Sequence, residues 1–259
     1  MVHITGYAGR HTIRYVNHIL DLFALNFRIC RLLFIRQRYG RTLVRRVALE
    51  QVYFTCVQAL PIIIPIALII GSMMLIQFSK VSGQYDLGKT TVLLIVRELG
   101  PVVTALLVIL RSATAVTIEI SYMNVLNEVD ALEMAGMDPL RIIGLPRMIG
   151  IVSALLCLFV IFDLIAIIGG YAVAWMITYI SMGDFLAQIA KAITLTDITV
   201  GIVKALFFGI TITVTCIYHG LSIPQNMMTR IPMKTSRAAV DCFFYCLLIN
   251  VAISVAFYI

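Results

Sequence analysis

Residues 97–147 read RELGPVVTALLVILRSATAVTIEISYMNVLNEVDALEMAGMDPLRIIGLPR. The first half is an apolar run long enough to cross a bilayer, interrupted only by Arg97, Glu98 and Arg111. The second half changes character. Asn124–Ala135 reads as a short helix carrying Glu128, Asp130 and Glu133, with Leu132 among them. Gly136 is a natural helix stop, and Asp138-Pro139 forbids continuation. The short helix with its ends occupies about residues 122–138, and another apolar run follows Pro146-Arg147. A span, a short acidic helix with a hard stop, and a further span predict an all-α membrane protein, because a helix satisfies its own backbone in hydrocarbon.

The rest of the chain agrees. Of 259 residues, 61% are hydrophobic and 13% charged, against roughly 45–50% and about 25% in soluble domains. A folded sphere of this size has too little interior to hide so much apolar surface. Apolar runs place the other spans at Gln51–Ser79, from Met148 to Met182 with only Asp163 inside, at Ile198–Ile223 with Lys204 near its start and at Cys242–Ile259, while the run in the opening segment covers Thr90–Ile118. Pro61 and Pro65 predict a kink or break in the first span. The third run, at 35 residues, exceeds one crossing and falls short of two. It reads as one long tilted helix, with Gly169-Gly170 as a bend point. The expected architecture is five transmembrane helices forming one unit over residues 51–259, after a separate segment at 1–50.

Orientation follows from Lys and Arg. With residues 1–50 and the connections 119–147 and 224–240 in the cytoplasm, that side holds fourteen of them. The opposite side holds three (Lys80, Lys89, Lys191), and Arg97, Arg111 and Lys204 lie inside spans. The positive-inside rule therefore puts the N-terminus in the cytoplasm and the C-terminus outside. Nine Arg against Asp21 and Glu50 give residues 1–50 the whole net charge of +7. Within them Arg14, Asn17, His18, Asp21, Arg28 and Arg31 recur at helical steps between Phe23, Phe27, Phe34 and other apolar residues. That pattern predicts an amphipathic helix lying in the cytoplasmic interface, where anionic lipid rather than nucleic acid is the partner of its basic stripe. The start, MVHITGYAGRHTIRYVNH, has no apolar h-region, so no cleaved signal is expected.

Enzymatic signatures are absent: no HExxH, no GxSxG, no GxxxxGK[ST] loop. The six cysteines lack metal spacing and read as small packing residues, and the four histidines are scattered. No metal and no cofactor are expected, so any work must be driven by a partner. On physics alone the short acidic helix fits both a solvated connector and a docking element for a soluble protein.

The residues ELGPVVTALL (98–107), the surroundings of Glu119, EVDALEMAGMDPLR (128–141) and LPR (145–147) together resemble the MlaE-type permease family. The likeness runs from about residue 50 to the end and includes DITVGIVKALFFGITI (197–212). It departs from the family at SATAVTIEI (112–120), where Gly and Ala are usual, and in Leu221–Arg237, which lacks the usual glycines. These permeases are membrane subunits of ABC transporters that work with MCE proteins to move lipid between the membranes of diderm bacteria. The resemblance implies a homodimer in the bacterial inner membrane, a cytoplasmic ABC ATPase dimer that binds the ATP, and a periplasmic MCE ring. It makes the short helix a coupling helix, with Glu128, Asp130, Leu132 and Glu133 facing the ATPase and Gly136, Asp138 and Pro139 fixing its end. The substrate implied is phospholipid, with another amphiphile as the alternative.

Intramembrane charge marks the second candidate site, since ionisable groups in hydrocarbon are costly and usually functional. Arg97 follows Thr90, and Lys204 follows Asp197, by seven residues each. Both therefore lie roughly 10 Å below the outer ends of their spans. Two readings stand: a structural Glu98–Lys204 pair with Arg97 snorkelling outward, or a lipid head-group site of Arg97, Glu98 and Lys204. The second puts an apolar cavity beneath, walled by Met74 and Phe78, with the helix broken at Gly100-Pro101.

Overall fold

A computed structural model of the chain describes residues 19–32, 41–81, 94–178, 194–224 and 227–258, with the single positions 183 and 187. Every regular element among the described residues is helical. They are α1 (19–32), α2 (Arg41–Thr55), α3 (Leu60–Val81), α4 (Gly100–Val108), α5 (Thr114–Val125), α6 (Glu128–Met134), α7 (Leu145–Thr178), α8 (Leu195–Leu221) and α9 (Ile231–Tyr258). Five stretches are long and apolar enough to cross a membrane: Thr42–Met74, Ile95–Val125, Leu140–Val173, Leu195–Leu221 and Met228–Phe257.

The first crossing is α2 and α3 joined through a break at Cys56–Ala59. Pro61 has no N–H for the Val57 carbonyl, so the regular ladder fails one turn ahead of it, whereas Pro65 sits inside the continuous α3. Arg111 of the second crossing closes the break. Its Nη1 donates to the Phe54 carbonyl at 2.7 Å and its Nη2 to Gln58 Oε1 at 2.9 Å. The guanidinium also lies 4.8 Å over the Phe54 ring, a stacking that strengthens where water is scarce. This accounts structurally for a charge that the sequence left inside a span.

The crossings alternate in direction. Gly150 meets Ala48 and Gln51, while Gly71 meets Ala166, so the first and third run parallel. Gly220 packs on Ile120 and Thr117, so the second and fourth do too. The third crossing is one helix through the described residues to Thr178, without a break at Gly169-Gly170. Gly169 instead lets Leu68 of the first crossing approach, as Gly71 does for Ala166, the small-residue contact by which helices associate in lipid. A Cβ at Gly71 would collide with the Ala166 backbone. Gly71→Leu is expected to reduce stability by about 1–3 kcal/mol or more, the usual effect of overpacking, measured as a lower midpoint in detergent unfolding.

Two boundaries differ from expectation. The last helix starts at Ile231, after a 3₁₀ turn at Met228–Arg230, rather than at Cys242. Charge-free windows exclude Arg230, Lys234 and Arg237, yet a helix extends past hydrocarbon at 1.5 Å per residue with its charged turns outside it. Its packed face is Ile231, Thr235, Ala238, Cys242 and Cys246, all buried, so the two cysteines are indeed packing residues. Likewise Asn124 and Val125 end α5 rather than open the short helix. Asn127, in the left-handed region at φ 60°, makes the corner between them.

The N-terminal helix α1 buries Ile29 against the bundle and half-buries Leu22, Leu25 and Leu32. Phe23 and Phe27 are 67% and 72% exposed, while Phe34, Arg14, Asn17 and His18 lie outside the described residues. The two phenylalanines therefore turn from the bundle, toward the lipid that an interfacial helix would meet. Burying each there is worth roughly 1.5–3 kcal/mol. Cysteines placed at 23 and 27 are expected to react slowly with a water-soluble maleimide in membranes; rapid labelling would remove α1 from the interface.

Candidate functional site

Two features separate from the packed core, at opposite ends of the bundle. At one end the second crossing opens with a π-helical turn, Ile95–Leu99. In a regular α-helix the Arg97 carbonyl would accept from the backbone N–H of residue 101, which is Pro101 and has none. Lys204, on the fourth crossing, supplies the missing donor: its Nζ lies 2.8 Å from the Arg97 oxygen. The same ammonium is 3.0 Å from Glu98 Oε1 and 2.7 Å from Ser254 Oγ. Glu98 completes the set, accepting from Ser254 Oγ at 2.8 Å and, on Oε2, from Asn250 Nδ2 at 2.8 Å. Thr104 donates back to the carbonyls of Gly100 and Pro101 at 2.7 and 3.0 Å. The expected break at Gly100-Pro101 is therefore absent. The helix widens to a π turn ahead of the proline and borrows side-chain donors, so it stays continuous. Two further π turns occur, Ile109–Ala113 and Leu140–Gly144, the latter just ahead of Pro146.

Beside this network Arg97 Nε is 2.6 Å from Asp197 Oδ1. Asp197 also closes a capping box with Thr194, whose hydroxyl accepts from the Asp197 N–H while the Asp197 carboxylate accepts from the Thr194 N–H. Arg97, Glu98 and Lys204 thus share one level, as their positions along the spans predict. The Glu98–Lys204 pair exists, and Arg97 binds Asp197 instead of only reaching outward. Lys204 is wholly buried, whereas Arg97 and Glu98 keep 32% and 33% of their side chains exposed. Any ligand at this end would meet those two and not the ammonium.

The other residues assigned there divide. Met74 packs half-buried on the main core, and the Phe78 side chain lies outside the described residues. Asp197, Asn250 and Ser254 escaped the sequence reading. Thr194-x-x-Asp197 carries the capping-box pattern, and Asn250 with Ser254 is a polar pair at i, i+4 in an otherwise apolar helix. Either signal could have found them.

The second feature is α6. Its first turn carries Glu128 and Asp130, where the helix dipole favours negative charge. It ends in a Schellman motif: Gly136 at φ 72° donates to the Glu133 carbonyl, and Met137 to that of Leu132 at 3.0 Å. Asp138 Oδ1 then accepts from the Leu140 N–H at 3.0 Å, opening the next crossing. Val129 is buried and Leu132 half-buried on the core, so part of the Leu132 side chain assigned to the docking face is taken up by the bundle. Apolar residues one turn apart anchor a helix this way. Glu128, Asp130 and Glu133 are exposed. Met134, 90% exposed at the tip, joins them. Asn124 Nδ2 ties the preceding helix end to the Leu221 and Ile223 carbonyls at 3.1 and 2.8 Å, holding the corner in place. Among the described residues no cluster of His, Cys, Asp and Glu could hold a metal ion.

Residues 48–256 match the family model described as "Permease MlaE". The chain is 30% identical over 224 residues to a probable ABC transporter permease protein of Rickettsia typhi, covering 85% of each chain. It is 34% identical over 176 residues to the intermembrane phospholipid transport system permease protein MlaE of Haemophilus influenzae, covering 66% of this chain and 67% of that one. A probable ABC transporter permease protein of Synechocystis is 28% identical over 182 residues, 69% of each.

Proposed function

The chain belongs to the MlaE permease family, and on that premise we propose that it is the membrane subunit of an ABC transporter moving phospholipid between the inner and outer membranes. It is a multi-pass membrane permease. In the proposed assembly two copies pair in the bacterial inner membrane, N-termini in the cytoplasm, and a cytoplasmic ABC ATPase dimer binds and hydrolyses ATP. An MCE-domain ring stands on the periplasmic side. The observation carrying the substrate is the 34% identity to a relative named for phospholipid transport.

Geometry supports a division of labour. The short acidic helix α6 has a rigid stop, an apolar side held on the bundle and an exposed acidic side, the attributes of a coupling helix that transmits motion. At the other end, the half-exposed edges of Arg97 and Glu98 offer a guanidinium to a lipid phosphate and a carboxylate to an amine. Hydrogen bonds among three crossings hold that pair in register, so motion of the fourth or fifth helix would move the proposed head-group site.

Affinity purification of the solubilised full-length chain tests this reading. An ABC ATPase and an MCE-domain protein should co-purify, and mass spectrometry should find phospholipid retained. Co-purification of the ATPase with a different amphiphile would replace phospholipid as substrate, and absence of any ATPase would overturn the transporter reading.

A further inference from the structure

A cleft of about 250 Å³ opens between the first three crossings, lined by Val47, Glu50, Gln51, Phe54, Glu119 and Arg147 among others. It lies toward the α6 end, because Glu119 is six residues from the end of α5 at Val125, roughly 9 Å along the axis. Glu98 is roughly 30 Å away by the same measure, so the cleft is separate from the polar network above. Arg147 is only 5% exposed. Its Nη1 donates to the Ile143 carbonyl at 3.0 Å and its Nη2 lies 2.7 Å from Glu119 Oε1. Its Nε–H is buried with no hydrogen-bond partner among the described residues. Glu119 and Glu50 keep 59% and 65% of their side chains exposed, Glu50 pairing with Arg46 at 3.1 Å.

The cleft thus combines one buried guanidinium with a spare donor and two reachable carboxylates. An anionic lipid head group would meet the carboxylates unfavourably, and a trimethylated amine has no N–H to donate to them. A primary ammonium has three such donors, and a phosphate beside it can accept from Arg147. We propose that this cleft binds the head group of an aminophospholipid, its ammonium on Glu50 and Glu119 and its phosphate toward the Arg147 Nε–H. The inference rests on the lipid-permease reading and names the class of lipid admitted from the α6 side.

A membrane-permeant carbodiimide, which joins a carboxyl to a neighbouring primary amine, tests it on the full-length chain in vesicles. With phosphatidylethanolamine, peptide mass spectrometry should find the lipid adduct at Glu119 or Glu50. Phosphatidylcholine vesicles should yield none. Val47→Trp, which fills the cleft without removing a carboxylate, should lose the adduct while Glu119 still couples to glycine ethyl ester. In the wild-type chain, coupling to that small amine without a lipid adduct overturns the proposal, as does equal lipid labelling at Asp21 and Glu128. A cross-link to a lysine of another protein overturns it in favour of a protein partner. Native mass spectrometry gives an independent measure. From equimolar phosphatidylethanolamine and phosphatidylglycerol, the wild type should retain the former at least about tenfold over the E50Q/E119Q variant, since two charge-assisted hydrogen bonds are lost and one alone is worth that factor. An unchanged ratio overturns the proposal. Neither measurement needs ATP or transport, so their failure leaves the permease reading standing, and failure of transport would leave the adduct intact.

Discussion

Lys204→Met is expected to lower the stability of the permease by about 3–5 kcal/mol, because removing one partner of a buried ion pair leaves the other uncompensated. The loss is more than Coulombic. Lys204 also caps the Arg97 carbonyl that Pro101 cannot satisfy, and it binds Ser254. The same geometry rules out a charge swap as a discriminating test. With Glu98→Lys and Lys204→Glu, a carboxylate at 204 would face that carbonyl oxygen, so even a purely structural pair would fail. Removing both charges is cleaner. Glu98→Met with Lys204→Met should recover the part of the stability lost to the stranded Glu98 charge, while the Arg97 carbonyl stays uncapped. If ATP-driven transport in vesicles returns with stability, the pair is structural. If stability returns and transport does not, Glu98 acts on the lipid, the outcome expected here. Unfolding midpoints in detergent provide the first readout and lipid movement between vesicle populations the second.

Glu128→Lys with Glu133→Lys is expected to leave insertion intact and to cost at most about 1 kcal/mol of stability, because both side chains are exposed and only Glu128 meets the helix dipole. On the proposed reading, ATP hydrolysis should persist while transport falls by at least about tenfold, as like charges set against each other at an interface cost several kcal/mol. Leu132→Ala supplies the contrast. Its side chain packs on the core, so it should loosen the helix and lower stability before it alters coupling. Normal transport by the double Lys variant would show that α6 is only a connector.

The spans were legible because hydrocarbon imposes a rule on every position. Runs such as Ala59–Ile76 cannot be anything but buried or in lipid, and Pro61 denies the Val57 carbonyl its usual donor whatever surrounds it. The stop at Gly136-Asp138-Pro139 is equally local, since a left-handed glycine and a missing N–H act within a few residues. Depth was legible too: a fixed rise per residue placed Arg97, Glu98 and Lys204 on one level. The beginning of α9 was not, because charged residues end a span without ending a helix. Nor was the inward face of Leu132, which depends on which side of a seven-residue helix meets the core.

By itself the sequence determined five crossings, a short acidic helix between the second and third, and five ionisable residues inside the spans, Arg97, Glu98, Arg111, Asp163 and Lys204. Only the tertiary structure decided what those residues touch. Asp197, Asn250 and Ser254 reach Arg97, Glu98 and Lys204 across separations of about 50 to 156 residues. Arg111 likewise finds the carbonyl freed by a break 57 residues away. The reason is physical. Local pattern sets where a helix starts, which residues are apolar and how deep each lies. An unsatisfied carbonyl or carboxylate in hydrocarbon must find a donor, and which neighbouring helix supplies it depends on rotation and packing that no single segment encodes.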